Sequence, residues 1–587
     1  MRVLLIYTDI GTGQLFHYQH GLGWLSAVLK RAGHQVGLIY LEKEIPEPEF
    51  IQQVKGFSPQ LLGFSCSTLQ YQFVKKYARA VKEELGLPLV IGGIHPTVEP
   101  EPVLKEEIFD FLIRGEGEEP LLELVEALEQ GRDFSQIKNL GFLKQGEVKL
   151  NPLREPVALD QLPFPDREIY DESRLLREND YQVMVMASRG CPFACSYCCN
   201  TVLSQLAGGV NKWHRRRSVG NVLEEIEELH QRYPQMKSIM FMDEVFTSSR
   251  AWVEEFCQEY AKRFTTPWRI FVRVGTVDYS LLKLMKESGL YSVLIGVESG
   301  DEYIRREVMN RKMSNKQILQ IFQWADELGL ETWSMNMVGV PGDSEASIRR
   351  TIELNQKICP DHLSLSIFQP FPGTPLYERC KKEGLLRSGG ATSIFFYQPQ
   401  VELPGLSDEK FNELFKEFRF LGWLWSAQKR ARGYYDLCAH FDRAKIKPGG
   451  ENFVEMMLTR VQGEDRMSIL IHPPSRVSWK VQLKPNSRLC FGASFSPEVW
   501  DKPGEGCWYL VKVKTRWRGE QVVFAHYLDP KHQPEQRKWN DFKIDLSKFG
   551  KRKIELILET KTDGANDWCV AFWSQPYLIQ GGEDEPA

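Results

Sequence analysis

Long apolar runs are missing from this 587-residue sequence, which nowhere strings together about 18 apolar residues without interruption. A membrane-spanning helix is therefore not expected, although peripheral contact with a lipid substrate stays open. An excess of one charge is also missing, because 74 Lys and Arg stand against 78 Asp and Glu and leave a net charge of −4. This balance argues against a nucleic acid or an anionic membrane as partner.

Cysteine is scarce, and the 12 residues are scattered too unevenly to indicate a disulfide framework. A reducing, cytoplasmic location is predicted. The segment from Met1 turns polar after a short apolar run, so it predicts a first strand rather than a signal peptide. The length predicts roughly three or four domains, and we expect a monomer.

Three cysteines nevertheless stand close together in the spacing C-x-x-x-C-x-x-C: Cys191, Cys195 and Cys198. This spacing supplies three thiolates to a cluster of four irons, and the fourth iron is left free to bind and activate a small molecule. A zinc site or a group of buried thiols is the alternative, but zinc sites favour two C-x-x-C pairs and the sequence has no second one. Cys199 could replace Cys198 as the third ligand.

The run from Ser188 to Cys199 resembles the motif of the radical S-adenosylmethionine (SAM) superfamily. The resemblance implies that the free iron chelates SAM and that an electron from the 4Fe-4S cluster cleaves it to a 5′-deoxyadenosyl radical. It also favours Cys198 over Cys199 as ligand, and it places Tyr197 beside the adenine of SAM.

Residues 1–150 alternate short apolar runs with amphipathic stretches, which predicts a doubly wound parallel sheet. Ligands of such sheets bind at the carboxyl ends of the strands. The loops expected there contain glycines, hydroxyl residues and acids that suit close approach to a bulky ligand. The candidate residues are Ser65, Ser67, Thr68, Gly92, Gly93, His95, Pro96, Glu116 and Gly117.

Taken together and ahead of the cysteine motif, these loops resemble the cobalamin-binding domain of cobalamin-dependent radical SAM enzymes. The resemblance implies that they hold cobalamin; a Rossmann-like domain without a ligand is the alternative. The sequence lacks the Asp-x-His-x-x-Gly motif whose histidine binds cobalt in many such domains. The lower axial ligand therefore stays open, and His95 fits a hydrogen-bonded loop residue better than a cobalt ligand.

After a linker at 151–179, residues 180–385 alternate six strand candidates with helices and suit the partial (β/α)₆ barrel typical of radical SAM enzymes. Asp243 and Glu244 resemble the family segment that holds the SAM amino group, although a solvated acidic loop would look similar. Glu298 and Arg311 resemble the fourth-strand signature and would face the SAM ribose and carboxylate. A structural salt bridge is the alternative for this pair.

The remaining chain predicts a helical region at 386–450 and, at 451–587, an antiparallel β-sandwich of jelly-roll type. The expected fold is thus α/β, with a Rossmann-like domain, a partial barrel and a β-sandwich.

The resemblance implies an enzyme that uses the cluster, SAM and cobalamin to functionalise an unactivated carbon. We expect C-methylation of a small-molecule or lipid substrate, with flavodoxin or ferredoxin as reductant. One alternative is ring formation or rearrangement without methyl transfer. The other is a cobalamin- or sugar-binding sensor whose cluster is structural. No catalytic residue is identified.

Overall fold

The protein is described by a computed structural model over residues 1–12, 16–387, 398–430, 434–447, 454–462, 464–515, 519–550, 552–564 and 568–579. It divides into two compact units, one of residues 1–358 and 364–415 and the other of residues 359–363 and 416–587. Parts of the expected helical region 386–450 lie outside the described residues. In the described part of the chain, every helix is too short or too polar to cross a bilayer.

The first unit opens with a seven-stranded sheet in the spatial order second, first, third, fourth, fifth, sixth, seventh. Its strands are Arg2–Thr8, Gln35–Leu41, Leu61–Ser65, Leu89–Gly92, Phe111–Ile113, Leu140–Lys144 and Glu147–Leu150. The first five strands run parallel, and the last two add an antiparallel hairpin.

Helices cover both faces of this sheet, as its apolar strands require. Along Arg2–Thr8, Val3 and Leu5 enter one core while Leu4 and Ile6 enter the other. The helices of this region are His20–Arg31, Glu47–Phe57, Tyr71–Leu85, Ile94–Val98, Pro100–Lys105 and Glu118–Gln130. The doubly wound sheet expected from the sequence is confirmed, and its carboxyl edge collects the predicted loops.

A six-stranded sheet follows, with its strands neighbouring one another in chain order. They are Gln182–Val185, Ser238–Phe241, Trp268–Val272, Leu290–Glu298, Glu331–Val338 and His362–Ile367. The longer helices around it are Cys199–Leu206, Val219–Arg232, Arg250–Arg263, Tyr279–Glu287, Asn315–Glu327, Glu345–Ile358 and Pro375–Lys382. Helix and strand residues share one apolar core, which confirms the partial barrel.

Helix Asp408–Arg430 leads from the first unit into the second. The second unit contains two antiparallel sheets that share one apolar core, to which Met467 and Trp573 belong from one sheet and Trp479 and Val511 from the other. One sheet contains Tyr434–Asp436, Val454–Val461, Glu464–Ile471, Arg488–Phe495, Asn540–Asp545 and Ala571–Ile579. The other contains Lys445–Lys447, Ser475–Gln482, Cys507–Thr515, Gly519–Leu528 and Lys553–Lys561.

The sandwich begins earlier in the chain than the expected boundary at residue 450. Tyr434–Asp436 pairs with Ala571–Ile579, and Lys445–Lys447 pairs with Ser475–Gln482. These two strands have only three residues each, so their alternation is too short to be recognised in the sequence.

Candidate cofactor sites

The cysteine loop follows the first barrel strand and is fixed by side-chain hydrogen bonds to backbone carbonyls. The Thr201 hydroxyl donates to the carbonyl of Cys195 at 2.8 Å, and the Ser196 hydroxyl donates to the carbonyl of Val308 at 2.5 Å. Gly190, just before Cys191, has φ of +79°, and a Cβ there would lie 2.6 Å from the carbonyl oxygen of Trp213. Only glycine therefore fits at the start of this loop.

Cys198 and Cys199 differ in the charge they favour. A hydrogen bond from the Cys199 thiol lowers the pKa of Cys198 to about 6, with help from Asn200, whose amide nitrogen lies 3.8 Å from the Cys198 sulfur. The same hydrogen bond and burial raise the pKa of Cys199. Cys198 as the third ligand stays a prediction of the resemblance.

Tyr197, Glu298 and Arg311 meet beside Cys195. The Arg311 guanidinium lies 3.3 Å from the Tyr197 hydroxyl, 3.6 Å from the Glu298 carboxylate and 3.8 Å from the Cys195 sulfur. It also donates to the carbonyl of Gly296 at 2.7 Å, but its buried Nε has no partner among the described residues. Glu298 adopts a left-handed conformation with φ of 64°, which is strained for a residue with a side chain. Three of the predicted SAM residues, Tyr197, Glu298 and Arg311, thus form one cluster at the end of the fourth barrel strand.

The two predicted acids after the second barrel strand have different surroundings. Asp243 is completely buried and accepts hydrogen bonds from the Ala187 amide at 3.0 Å and from the Ser188 hydroxyl. Its carboxylate therefore fixes Ala187 and Ser188, the residues that lead into the cysteine loop. Glu244 is exposed and lines a cavity. Of the two, Glu244 is the carboxyl group that can meet a ligand.

That cavity, of about 370 Å³, lies between the carboxyl edge of the amino-terminal sheet and the cysteine loop. Five predicted cobalamin residues line it: Ser65, Gly92, Gly93, Glu116 and Gly117. The sequence analysis missed a further set of lining residues: His20, Trp24, Thr97, Met186, Arg189 and Trp213. These residues reach the cavity only because segments that are distant in the sequence come into contact. In the sequence, a tryptophan of a cavity wall cannot be told from a tryptophan of the core.

The residues present fit a large ligand that has apolar ring faces and polar substituents, as cobalamin has. Apolar side chains such as Leu5, Leu22 and Ile113 form much of the wall. A Cβ on Gly92 would lie 3.8 Å from the nearest atom, so a side chain there would extend into free space. The buried Nε2 of His20 has no hydrogen-bond partner within the described ranges.

Four other predicted cobalamin residues lie away from the cavity wall formed by the described residues: Ser67, Thr68, His95 and Pro96. The His95 ring packs 4.2 Å from the ring centre of Tyr71, and its Nδ1 lies 3.3 Å from the Thr68 hydroxyl. Burial lowers the pKa of His95 to about 4, so the ring is neutral near pH 7. His95 is thus a hydrogen-bonded residue of the short helix Ile94–Val98 rather than of a loop.

Glu116 joins the amino-terminal sheet to the barrel inside the first unit. Its carboxylate pairs with Arg189 at 3.0 Å and, more closely, with Arg215. Arg189 also pairs with Glu118 at 2.6 Å and stacks 4.3 Å from the ring centre of Trp24. These ion pairs fix the edge of the cavity next to the cysteine loop.

We expect Glu116→Gln to destabilise the first unit by about 2 kcal/mol, because hydrogen bonds between charged groups are lost in a partly buried site. Burial alone would raise the pKa of Glu116, but Arg189 and Arg215 lower it overall. The stabilisation is therefore present above the unfolded-state pKa and is lost as pH falls through the folded-state pKa. Urea unfolding of the cofactor-free protein at neutral and acidic pH measures both effects.

Glu119→Gln is the matched control, because Glu119 is 53% exposed and pairs with Arg154 at the surface. Its expected cost is below about 1 kcal/mol. Equal losses in the two variants, or a difference between them that grows as pH falls, would contradict the prediction.

Comparisons with known proteins agree with this geometry. Residues 9–125 match the B12 binding domain, and residues 185–354 match the Radical SAM superfamily. An uncharacterized methyltransferase of Pyrococcus horikoshii is 28% identical over 404 residues, which cover 68% of this chain and 86% of that protein. The anaerobic magnesium-protoporphyrin IX monomethyl ester cyclase of Rubrivivax gelatinosus is 26% identical over 377 residues, which cover 61% of this chain and 65% of the cyclase.

Among solved structures, the radical SAM methyltransferase TsrM of Kitasatospora setae with cobalamin and a [4Fe-4S] cluster bound superposes with a TM-score of 0.54. It is 17% identical, and the match covers 70% of this chain and 85% of TsrM. At this identity the likeness concerns the fold. The chain thus combines a B12 binding domain with a Radical SAM domain, the pair of domains expected of a cobalamin-dependent radical SAM enzyme.

Proposed function

We propose that this enzyme transfers a methyl group to an unactivated carbon of a small-molecule or lipid substrate. The observation that carries the proposal is the position of Glu244 and Gly190, which line the cobalamin-type cavity and also flank the cysteine site. The two cofactor sites therefore adjoin, as a reaction that uses both on one substrate carbon requires. When bound, the cluster with SAM supplies a hydrogen-abstracting radical, and cobalamin supplies a methyl group.

The chain's own residues would bind and orient these groups. Cys191, Cys195 and Cys198 would hold the cluster, and the remaining polar groups beside it would hold SAM. The Arg311 guanidinium suits the SAM carboxylate, whereas Glu244 suits the SAM amino group. Glu298 and Tyr197 would orient the ribose and adenine.

The cavity wall would hold cobalamin through Ser65, Gly92, Gly93 and Gly117, while Glu116 fixes its edge through Arg189 and Arg215. Mostly apolar walls would also keep water away from a reactive radical. Ser67, Thr68, His95 and Pro96 would support the loops behind this wall.

A second candidate is ring formation without methyl transfer, which the similarity to the Rubrivivax cyclase favours. The similarity to the Pyrococcus protein favours methyl transfer. A low-potential electron donor of the flavodoxin or ferredoxin type would reduce the cluster. We further propose that the enzyme is a monomer and that it works in the cytoplasm.

The test needs no knowledge of the substrate. The cobalamin-loaded enzyme is reduced anaerobically and supplied with SAM. We expect S-adenosylhomocysteine, which reports methyl transfer from SAM, together with 5′-deoxyadenosine from radical cleavage. Formation of 5′-deoxyadenosine alone would favour the ring-forming alternative, and formation of neither product would favour a binding protein. The Cys191→Ala variant, loaded with cobalamin, should form no 5′-deoxyadenosine, because radical cleavage requires the cluster. It therefore separates the two products.

A further inference from the structure

Arg273 directly follows the third barrel strand and reaches the cysteine site. The even-numbered side chains of strand Trp268–Val272 enter the core shared with the helices, as does the side chain of Val274. Because side chains alternate along an extended chain, Arg273 points to the opposite face of the sheet. Its guanidinium donates to the sulfur of Cys195 at 3.2 Å and stacks 3.9 Å from the ring centre of Phe193.

The positive charge of Arg273 is not neutralised by an acid. Arg273 forms no ion pair with any residue that the structure describes, and a guanidinium stays protonated at any pH that the protein meets. The other arginine beside Cys195 differs in this respect. Arg311 lies farther from the sulfur, at 3.8 Å, and pairs with Glu298 at 3.6 Å. Its charge is therefore shared with a carboxylate, whereas the charge of Arg273 acts on the cysteine.

The surroundings of Cys195 strengthen this contact. Cys195 is only 6% exposed, and charges interact more strongly in a buried site than in water. Its backbone is also held in place, because its carbonyl accepts hydrogen bonds from the Thr201 hydroxyl at 2.8 Å and the Cys198 amide at 3.2 Å. Hydrogen bonds to the sulfurs and nearby charge are among the factors that set the potential of an iron–sulfur cluster.

We propose that Arg273 raises the reduction potential of the iron–sulfur cluster by donating a charge-assisted hydrogen bond to the predicted ligand Cys195. On reduction, the cluster gains one electron from a donor of the flavodoxin or ferredoxin type, the donor loses that electron, and no proton is transferred. The guanidinium stabilises the added negative charge. Arg273 acts through Cys195 and is therefore a positioning residue. The inference rests on the cluster of the proposed function, but not on the reaction that follows reduction.

The test is a redox titration of the full-length, cluster-loaded enzyme without SAM or cobalamin. The electron paramagnetic resonance signal of the reduced cluster is measured against the applied potential. In Arg273→Met, we expect the equilibrium constant for reduction to fall roughly tenfold, or about 59 mV, because a hydrogen bond from a charged donor is lost. Methionine keeps the apolar length beside Phe193 but not the charge. Arg273→Lys keeps the charge and should recover part of the shift.

Arg269→Met is the matched control. Arg269 lies four residues earlier, about 13 Å along the strand at roughly 3.3 Å per residue. One of its terminal nitrogens also donates to a sulfur at 3.2 Å, but this sulfur belongs to Met240, which is not a predicted cluster ligand. Its buried Nε has no hydrogen-bond partner among the described residues. Because electrostatic interactions weaken with distance, this variant should retain most of the wild-type potential.

An unchanged potential in Arg273→Met, or an equal fall in Arg269→Met, would overturn the inference. Equilibrium dialysis with SAM tests whether Arg273 binds the SAM carboxylate instead. Arg273→Met should bind SAM like the wild type, and weaker SAM binding without a fall in potential would overturn the inference.

It would also be overturned if neither Arg273 variant assembled a cluster while Arg269→Met did, because Arg273 would then be needed only to build the site. These outcomes are distinct from failure of the proposed function. The potential is measured without SAM, cobalamin or substrate, whereas methyl transfer is judged from S-adenosylhomocysteine.

Discussion

Simultaneous replacement of Cys191, Cys195 and Cys198 by alanine is expected to abolish cluster assembly and all formation of 5′-deoxyadenosine. Three thiolates are the minimum protein ligand set for a four-iron cluster with one open iron, and removal of all three leaves Cys199 as the one thiol in the cysteine loop. Iron and sulfide content, the electron paramagnetic resonance signal of the reduced enzyme and product chromatography check this result.

Cys199→Ala and Cys257→Ala are the controls. Cys199 is adjacent to the third ligand but has a raised pKa, and Cys257 is buried in the barrel core, where burial raises its pKa to about 11. Both variants should retain iron and SAM cleavage. Loss of the cluster in Cys199→Ala, with retention in Cys198→Ala, would instead identify Cys199 as the third ligand.

The second large effect is expected from Gly92→Val, which should weaken cobalamin binding by up to about 100-fold. The backbone at Gly92 accepts a side chain, because its φ is not positive and the nearest atom would lie 3.8 Å from the new Cβ. The added methyl groups would enter the cavity, and overfilling such a space costs about 1–3 kcal/mol. Corrinoid absorbance retained after gel filtration measures the loss.

Gly56→Val provides the comparison, because Gly56 lies in helix Glu47–Phe57 and a Cβ there would meet nothing within 4 Å. It should bind cobalamin like the wild type. Both variants should also retain the iron–sulfur cluster, which shows that the barrel is intact. Normal cobalamin retention by Gly92→Val would place the corrinoid elsewhere.

The sequence was sufficient to predict the features that depend on local spacing. The interval between Cys191 and Cys198 is a local constraint, and the alternation of strands and helices follows from side-chain periodicity. Glu298 and Arg311 are only thirteen residues apart and join one strand end to the next turn. Their contact beside Tyr197 could therefore also be predicted from the sequence.

Other features depend on contacts that no local pattern contains. Asp243 and Glu244 are adjacent and chemically alike, yet one is enclosed by the Ala187 amide and Ser188 hydroxyl while the other lines the cavity. Arg269 looked like any polar residue in a strand, because the lack of a partner for its Nε among the described residues emerges only when neighbouring strands are in place. Trp213 reaches the cavity from a short helix whose position depends on the whole barrel.

The contacts of Arg189 limit how domains can be exchanged between such enzymes. It stands two residues before the first cluster cysteine, yet it pairs with Glu116 and Glu118 and stacks on Trp24, all from the amino-terminal part of the chain. The cysteine loop is therefore positioned by two halves of the first unit rather than by the barrel alone. A chimera that joins this barrel to a foreign corrinoid module must carry those two acids and the indole with it, or redesign the loop to match its new neighbour.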